Sequence, residues 1–409
     1  MKLELITDID SPSGYSAFAR SFGEALYHAG VELKLSPSKH DKTTIPLNKF
    51  WSENIKKFAS VAEAPDVRMH IETPEFFRMI PGIKNIGFVF WETSRIPGGQ
   101  RMGEPGVPPN FDWVRQMNMM DEIWTSAESA IDAFKSSGVK VPIRNVGIPL
   151  EFLESTEELL ISGVTVDEGG RKIPRDKRRI VIGSVAQFNF RKNIEDLIIS
   201  VCSEFRSHEV TLLLKTYGSS QNDPQQEEAI KNRVLGLKQA VGWKDIPQVV
   251  LVQNTLSDTD MRKLYNSMDM FVTCTRGEGF CIPAAQAMGS GVPTVCTGWS
   301  AMMDFVIGEA GSYGVGSTDE PQTGWPINYQ LEPVYGMPFI PWYRPDQRWA
   351  RIDMDHLMQV MRRIYDGIKS DDPSISTIAR QGAARVREQY APDVIGSLGR
   401  KLLEQAIEC

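Results

Sequence analysis

The sequence is poor in cysteine, with five in 409 residues (Cys202, Cys274, Cys281, Cys296 and Cys409), and none of them forms a C-x-x-C pair. An odd, scattered set argues against a disulfide framework and against a zinc site, and a reducing, cytoplasmic setting is the expected one. Long apolar runs are missing too. No stretch approaches the roughly 18 residues that a membrane-crossing helix requires, and Met1-Lys-Leu-Glu-Leu-Ile-Thr7 leads straight into a strand pattern, so neither a signal peptide nor a span is expected. Positive charge is not in excess: the net charge is −7, which disfavours a wholly basic nucleic-acid-binding surface while leaving local patches possible. What remains is 41% hydrophobic and 24% charged, a soluble globular composition with enough length for two or three units of ~100–200 residues.

The first third reads as alternating strands and helices. Residues 3–7 form an apolar strand pattern, a loop carries Gly14, and residues 18–29 show helical spacing before Gly30 and a second strand at 31–35. This is a βαβ opening, which implies a parallel sheet. Further strands are expected at 67–71, 85–90 and 122–125, a helix from 126 to about 138, and an extended segment at 143–147. From about 155 the pattern dissolves into polar sequence that ends on the basic cluster Arg171-Lys-Ile-Pro-Arg-Asp-Lys-Arg-Arg179, expected to be a linker or insertion with a solvated basic face.

Alternation then starts afresh. Strands are expected at 179–185, 210–214, 249–252, 270–273 and 293–296, with helices such as 194–205 and 258–267 between them. Two successive α/β patterns of similar size imply an α/β chain of two doubly wound, Rossmann-like domains, with a cleft at the carboxyl ends of both sheets. The Pro-, Gly- and aromatic-rich stretch 311–349 is expected to be irregular. Helices follow at 354–367, 376–390 and 393–408.

Chemistry concentrates in the second half. The strand at 270–273 delivers Cys274-Thr-Arg-Gly277-Glu278-Gly279-Phe280-Cys281-Ile-Pro283, where Pro283 suits the first turn of a helix. A helix N-terminus presents unpaired N–H groups and partial positive charge, which suits a phosphate. Gly277 and Gly279 permit close backbone approach, and the Glu278 carboxylate suits sugar hydroxyls. Arg191 and Lys192 open another helix after another strand, where a diphosphate would meet cations. An exposed pair near a turn is the competing reading. Gln286 lies eight residues past Glu278 and can face the same ligand, or be an ordinary half-buried amide.

Arg191-Lys192-Asn193, Gly277-Glu278-Gly279-Phe280-x-x-Pro283, the small-residue helix and Gly291-Val-Pro-Thr-Val295 together resemble the carboxyl-terminal domain of family-4 retaining glycosyltransferases of the GT-B fold. The resemblance extends to Asp121-Glu-Ile-Trp-Thr-Ser-Ala-Glu-Ser129, Asn145-Val-Gly-Ile-Pro149 and the closing helix, and it covers most of the chain. It implies an amino-terminal acceptor-side domain (1–172) rejoined by the last helix (393–409), and a donor-binding domain (173–392). A nucleotide sugar, UDP-linked, would be the donor. Arg191 and Lys192 would hold its diphosphate, Glu278 its sugar, and Gly277, Gly279 and Phe280 would line the site. Gln286 stands where the family has the second glutamate of its E-x7-E motif, the ribose ligand. Gly14 and Tyr15 resemble the first domain's glycine loop beside the phosphates. The family's frequent histidine has no clear counterpart; Glu92 and His70 are candidate contacts to sugar or acceptor, each with a structural alternative.

The implied reaction moves a sugar to a hydroxyl with retention and without a resident cofactor or metal. Asp8-Ile-Asp10 and Asp353-Met-Asp355 match D-x-D only superficially, at element ends where acidic caps are routine. The acceptor could be a glycan, a small molecule or a hydroxylated nucleic-acid base, the last gripped by basic segments 171–179 and 135–144. A non-catalytic nucleotide-binding role on a degenerate GT-B scaffold is the other alternative, suggested by Gln286 and the missing histidine.

Overall fold

The computed structural model describes residues 1–11, 13–38, 45–99, 111–152, 164–165, 179–219, 222–308 and 321–408. The chain packs into two units: Met1–Glu151 with Pro333–Arg348 and Glu388–Cys409, and Phe152–Glu332 with Trp349–Arg387. The expected junction at 172/173 lies outside the described residues, as does the basic cluster up to residue 178. By packing, the units divide after Glu151.

Unit 1 runs β1 (Lys2–Ile6), α1 (Gly14–His28), β2 (Glu32–Ser36), α2 (Lys49–Ala59), β3 (Val67–Ile71), β4 (Lys84–Phe88), α3 (Trp113–Asn118), β5 (Glu122–Thr125), α4 (Glu128–Ser137) and β6 (Ile143–Asn145). Its six strands are parallel in the order β2-β1-β3-β4-β5-β6. Ser13 caps α1 by accepting from the Ser16 N–H at 3.2 Å, which satisfies one of the orphan donors of the first turn. Phe18 and Phe22, four apart on α1, therefore share a face. They stack at 5.0 Å, and Phe18 reaches Phe88 of β4 at 4.0 Å.

Unit 2 runs β7 (Val164–Thr165), β8 (Ile180–Gln187), α5 (Ile194–Glu204), β9 (Val210–Tyr217), α6 (Pro224–Val241), β10 (Gln248–Val252), α7 (Asp258–Asn266), β11 (Met270–Thr273), α8 (Ile282–Gly289), β12 (Thr294–Thr297) and β13 (Trp325–Ile327). The sheet order is β13-β12-β11-β8-β9-β10-β7, parallel except for β7. Ile182, Leu212, Leu214, Val249, Leu251 and Val272 of its strands are buried with Leu197, Ile198 and Val201 of α5 in one core. Each fully buried aliphatic side chain contributes roughly 1.5–3 kcal/mol.

Stretch 311–349 departs from expectation. Residues 311–320 lie outside the described ones, but the remainder holds β13, then β14 (Tyr329–Pro333) and the start of β15 (Arg348–Ile352), which pair as a two-stranded sheet. Pro326 is tolerated because β13 is an edge strand, where a missing N–H breaks no ladder. Residues 333–348 leave unit 2 and pack within unit 1, with Trp342 against Trp113 at 6.0 Å and the Arg348 N–H donating to Ser94 Oγ at 2.9 Å.

Three helices close the chain: α9 (Met354–Lys369), α10 (Pro373–Tyr390) and α11 (Pro392–Glu408). The last belongs to unit 1 and lies on α1. Gly396 makes that approach possible, since a Cβ there would stand 2.4 Å from the Ala25 carbonyl oxygen.

Candidate active site

Two loops of unit 2 build the site. The first leaves β8 after Gln187, whose amide donates to the Gly218 carbonyl at 2.9 Å and accepts from Asn189 at 3.0 Å. Asn189 in turn accepts from the Lys192 N–H at 3.0 Å. Asn193 then turns into α5 with φ 54°, a left-handed conformation that asparagine tolerates better than most residues. Lys192 is thus placed by a chain of side-chain to backbone bonds rather than left on a free loop.

The second loop leaves β11 and crosses the first. The Arg276 N–H donates to the Arg191 carbonyl at 2.8 Å, and the Ala350 N–H donates to the Arg276 carbonyl at 2.8 Å. The Arg276 guanidinium lies over the Phe190 ring at 4.4 Å and the Trp349 ring at 5.9 Å, and it pairs with Glu332. Behind it, Thr297 of β12 donates to the Thr275 carbonyl at 2.7 Å. The Glu278 N–H donates to Ser300 Oγ at 3.0 Å. Cys281, at φ 77°, then starts α8.

Glu278, Lys192 and Arg191 meet where the loops cross. Lys192 Nζ is 2.6 and 2.8 Å from the two carboxylate oxygens. Arg191 donates to Glu278 Oε2 at 3.1 Å and to the Gly277 carbonyl at 2.6 Å. The Glu278 side chain is only 7% exposed, and its two cationic partners 17–18%. Burial alone would raise the carboxyl pKa. The charges of Lys192 and Arg191, with bonds from Lys192 and Thr275, outweigh it and hold the group at about 2. Glu278 is consequently a carboxylate at any working pH: it accepts hydrogen bonds and donates no proton. Two cations and one carboxylate leave a surplus positive charge, the electrostatics an anionic ligand needs.

Gln286 stands half-buried on α8, and its carbonyl oxygen accepts from the Tyr265 hydroxyl at 3.1 Å. Burial pushes the Tyr265 phenol up, so it remains a donor. That bond assigns the amide orientation and turns the Gln286 NH2 away from Tyr265. The Phe280 ring is buried against Phe305 at 5.5 Å, so of this expected lining residue only the backbone can face a ligand. Gly277 is buried and Gly279 half-buried on the same loop.

In unit 1 the candidates are Gly14, Tyr15, Glu92 and His70. Gly14 is the exposed first residue of α1. Tyr15 accepts from the Phe90 N–H at 3.3 Å and packs edge-on to that ring at 5.1 Å. Burial, then the charges of Glu92, Glu75 and Glu72, push its phenol up against the lowering effect of the Phe90 bond. Glu92 accepts from the Tyr343 hydroxyl. His70 is 2% exposed, with Nδ1 2.7 Å from Glu72 and Nε2 3.0 Å from the Arg78 carbonyl. Both ring nitrogens are spent within the unit, the role of a structural histidine. Asp353 caps α9 by accepting from the His356 N–H at 3.0 Å, and no cluster of three or more His, Cys, Asp or Glu among the described residues could hold a metal.

Sequence reasoning missed Gln187, Asn189, Thr275, Thr297 and Ser300. Asn189 and Thr275 neighbour the motifs and carry side chains that bond local backbone, a signal present in the sequence, whereas Gln187 reaches the Gly218 carbonyl 31 residues on, through the pairing of β8 with β9. Thr297 and Ser300 lie 22 residues downstream of their partners, and only the adjacency of β11 and β12 brings them there.

Residues 179–323 match the family model described as glycosyl transferases group 1. A mannosylfructose-phosphate synthase of Agrobacterium fabrum is 31% identical over 102 residues, which are 25% of this chain and 22% of that protein. The chain therefore matches about a fifth of the length of that curated relative. Among solved structures, a sucrose-phosphate synthase from Thermosynechococcus elongatus superposes with a TM-score of 0.63 at 16% identity, covering 100% of this chain and 99% of the other. HepE of Anabaena, in complex with UDP and glucose, gives 0.62 at 12% identity over 99% and 100% of the two chains. The catalytic domain of starch synthase IV from Arabidopsis thaliana, bound to ADP and acarbose, gives 0.61 at 10% over the whole of both. At such identities the likeness shows the fold: two Rossmann-like domains of GT-B type. Among the described residues no helix is long and apolar enough to cross a membrane.

Proposed function

We propose that this chain, whose residues 179–323 match the glycosyl transferases group 1 model and whose fold is of GT-B type, transfers a sugar from a nucleotide-sugar donor to a hydroxyl acceptor. The observation that carries the reading is the crossing of two loops at helix N-termini that sets Glu278 between Lys192 and Arg191. Lys192 and Arg191 serve the leaving diphosphate, joined by the N–H groups at the start of α5. Glu278 accepts from hydroxyls of the transferred sugar, and the Gln286 amide donates to ribose oxygens. UDP is the proposed nucleotide, supported by HepE structures that hold UDP and UDP-glucose.

The electrostatics bear on the stereochemical course. Double displacement needs a free carboxylate nucleophile, whereas Glu278 is bound to two cations and held at about 2. A carboxylate so engaged is a poor nucleophile and a good fixed charge. The favoured route is departure of the diphosphate and attack of the acceptor on the same face, through an oxocarbenium-like state, giving retention. No metal is required on this reading, because the cations and helix N–H groups take the developing diphosphate charge.

The test is a screen of nucleotide sugars with mixed acceptors in the presence of a chelator, followed by NMR of the product's anomeric proton. Expected are nucleoside diphosphate release insensitive to the chelator and an anomeric configuration matching the donor. Inverted product, or activity abolished by the chelator and restored by a divalent ion, would overturn the mechanism.

A further inference from the structure

Beyond Arg191, Lys192 and Arg276, unit 2 holds a buried cation with no counter-charge among the described residues. Lys215 lies on β9, in parallel register with Val185 of β8 and Val252 of β10. It is 7% exposed. Among the described residues no carboxylate or hydrogen-bond acceptor meets its ammonium. What it does meet is the ring of Tyr217, 5.6 Å from Nζ to the centroid. A buried ammonium without a counter-charge is costly, and in such a setting a methionine or leucine of similar volume would pack at no electrostatic cost. Burial accordingly depresses the Lys215 pKa, with no compensating charge to restore it.

Its place in the sheet says what it is for. Leu212 and Leu214 join the core under α5, so strand alternation puts Leu213, Lys215 and Tyr217 on the opposite face. Lys215 and Tyr217 therefore stand in line at the carboxyl end of β9, the edge at which α/β sheets receive ligands. This edge is tied directly to the cation loop. The Phe188 N–H donates to the Tyr217 carbonyl at 2.7 Å and Gln187 to the Gly218 carbonyl at 2.9 Å, while burial pushes the Tyr217 phenol up against the lowering charge of Arg191.

We propose that Lys215 is a third cation of the nucleotide site, taking an anionic phosphate oxygen of the bound nucleoside diphosphate from the β9 side while Arg191 and Lys192 act from the loop. This rests on the reading of unit 2 as a nucleoside diphosphate site. Lys215 would touch the ligand through a charge-assisted bond, and the ligand would supply the counter-charge that the described residues do not.

The test is calorimetric titration of the full chain with UDP, GDP and ADP, using wild type, K215M and K192A, with the matching free nucleoside followed by saturation-transfer NMR and thermal melts of the unliganded proteins. K215M is expected to weaken the preferred diphosphate about 10- to 100-fold, to leave nucleoside binding unchanged, and to melt no lower than wild type. Unchanged diphosphate affinity in K215M, with K192A weakened, would overturn the role of Lys215 and leave the donor site standing. Equal weakening of diphosphate and nucleoside would overturn the phosphate contact. A clearly lowered melting temperature in K215M would contradict the uncompensated charge from which the proposal starts. Failure of wild type to bind any of the three diphosphates would overturn both readings together.

Discussion

Replacing Glu278 by glutamine tests the site through two quantities that move in opposite directions. The carboxylate is nearly isosteric with the amide, so packing is kept while the charge between Lys192 and Arg191 is removed. The drop of its pKa from an ordinary 4.5 to about 2 corresponds, at about 1.36 kcal/mol per pH unit, to on the order of 3 kcal/mol of stability at neutral pH. Because the folded value is depressed, that stabilisation is complete above pH 4.5 and is lost as pH falls through about 2. Urea titrations that follow the unit 2 transition should show E278Q less stable by roughly that amount at pH 7, with the gap narrowing below pH 4.5. The freed cations should meanwhile bind a diphosphate at least as tightly as in wild type, while sugar transfer is lost. Equal stability of the two proteins at pH 7 would refute the electrostatic argument, and a tenfold or greater loss of UDP affinity in E278Q would refute the assignment of Lys192 and Arg191 to the diphosphate.

Gln286→Ala should weaken UDP binding by about 3- to 10-fold, the scale of one neutral hydrogen bond to a ribose hydroxyl; calorimetry showing no change would remove Gln286 from the site. Ser300→Ala deletes the acceptor of the Glu278 N–H at 3.0 Å. It should lower kcat about tenfold with UDP affinity intact, and an unchanged kcat would show that the loop holds without it. Gly396→Val forces a side chain against the Ala25 carbonyl, 2.4 Å from the position of its Cβ. Unit 1 should lose about 3 kcal/mol or fail to retain α11, read out by thermal melting and limited proteolysis, whereas a wild-type melt would contradict the close packing of α11 on α1.

Much of the architecture was legible because buried parallel strands are short apolar runs with clear ends. Residues 67–71, 122–125 and 270–273 are read with the bounds the structure has. The stretch from 311 misled for a physical reason. Proline and exposed aromatics argue for irregular chain, yet an edge strand such as Trp325–Ile327 tolerates Pro326, and the alternation of Tyr329–Pro333 is weak because most of it is solvent-facing. The excursion 333–348 into unit 1 could not be read at all, since Trp342 meeting Trp113 depends on packing across more than 200 residues.

At the site, Arg191, Lys192 and Glu278 were visible as charged residues beside glycine and asparagine turns at strand ends. Their mutual bonding was not, because the crossing of the two loops follows from β8 and β11 being neighbours in the sheet. His70 shows the converse. A histidine at a strand end is compatible with a ligand or with a structural role, and only the bonds to Glu72 and the Arg78 carbonyl decide.

The central claim is that the cations at the loop crossing hold the diphosphate of a nucleotide sugar, and the most direct measurement is nucleoside diphosphate affinity and release from nucleotide sugars in wild type and K192A side by side. Expected in K192A is UDP affinity lower by roughly 10- to 150-fold, the loss of one charge-assisted bond, together with loss of UDP release from the sugar donor. Wild-type affinity and release in K192A would contradict the claim.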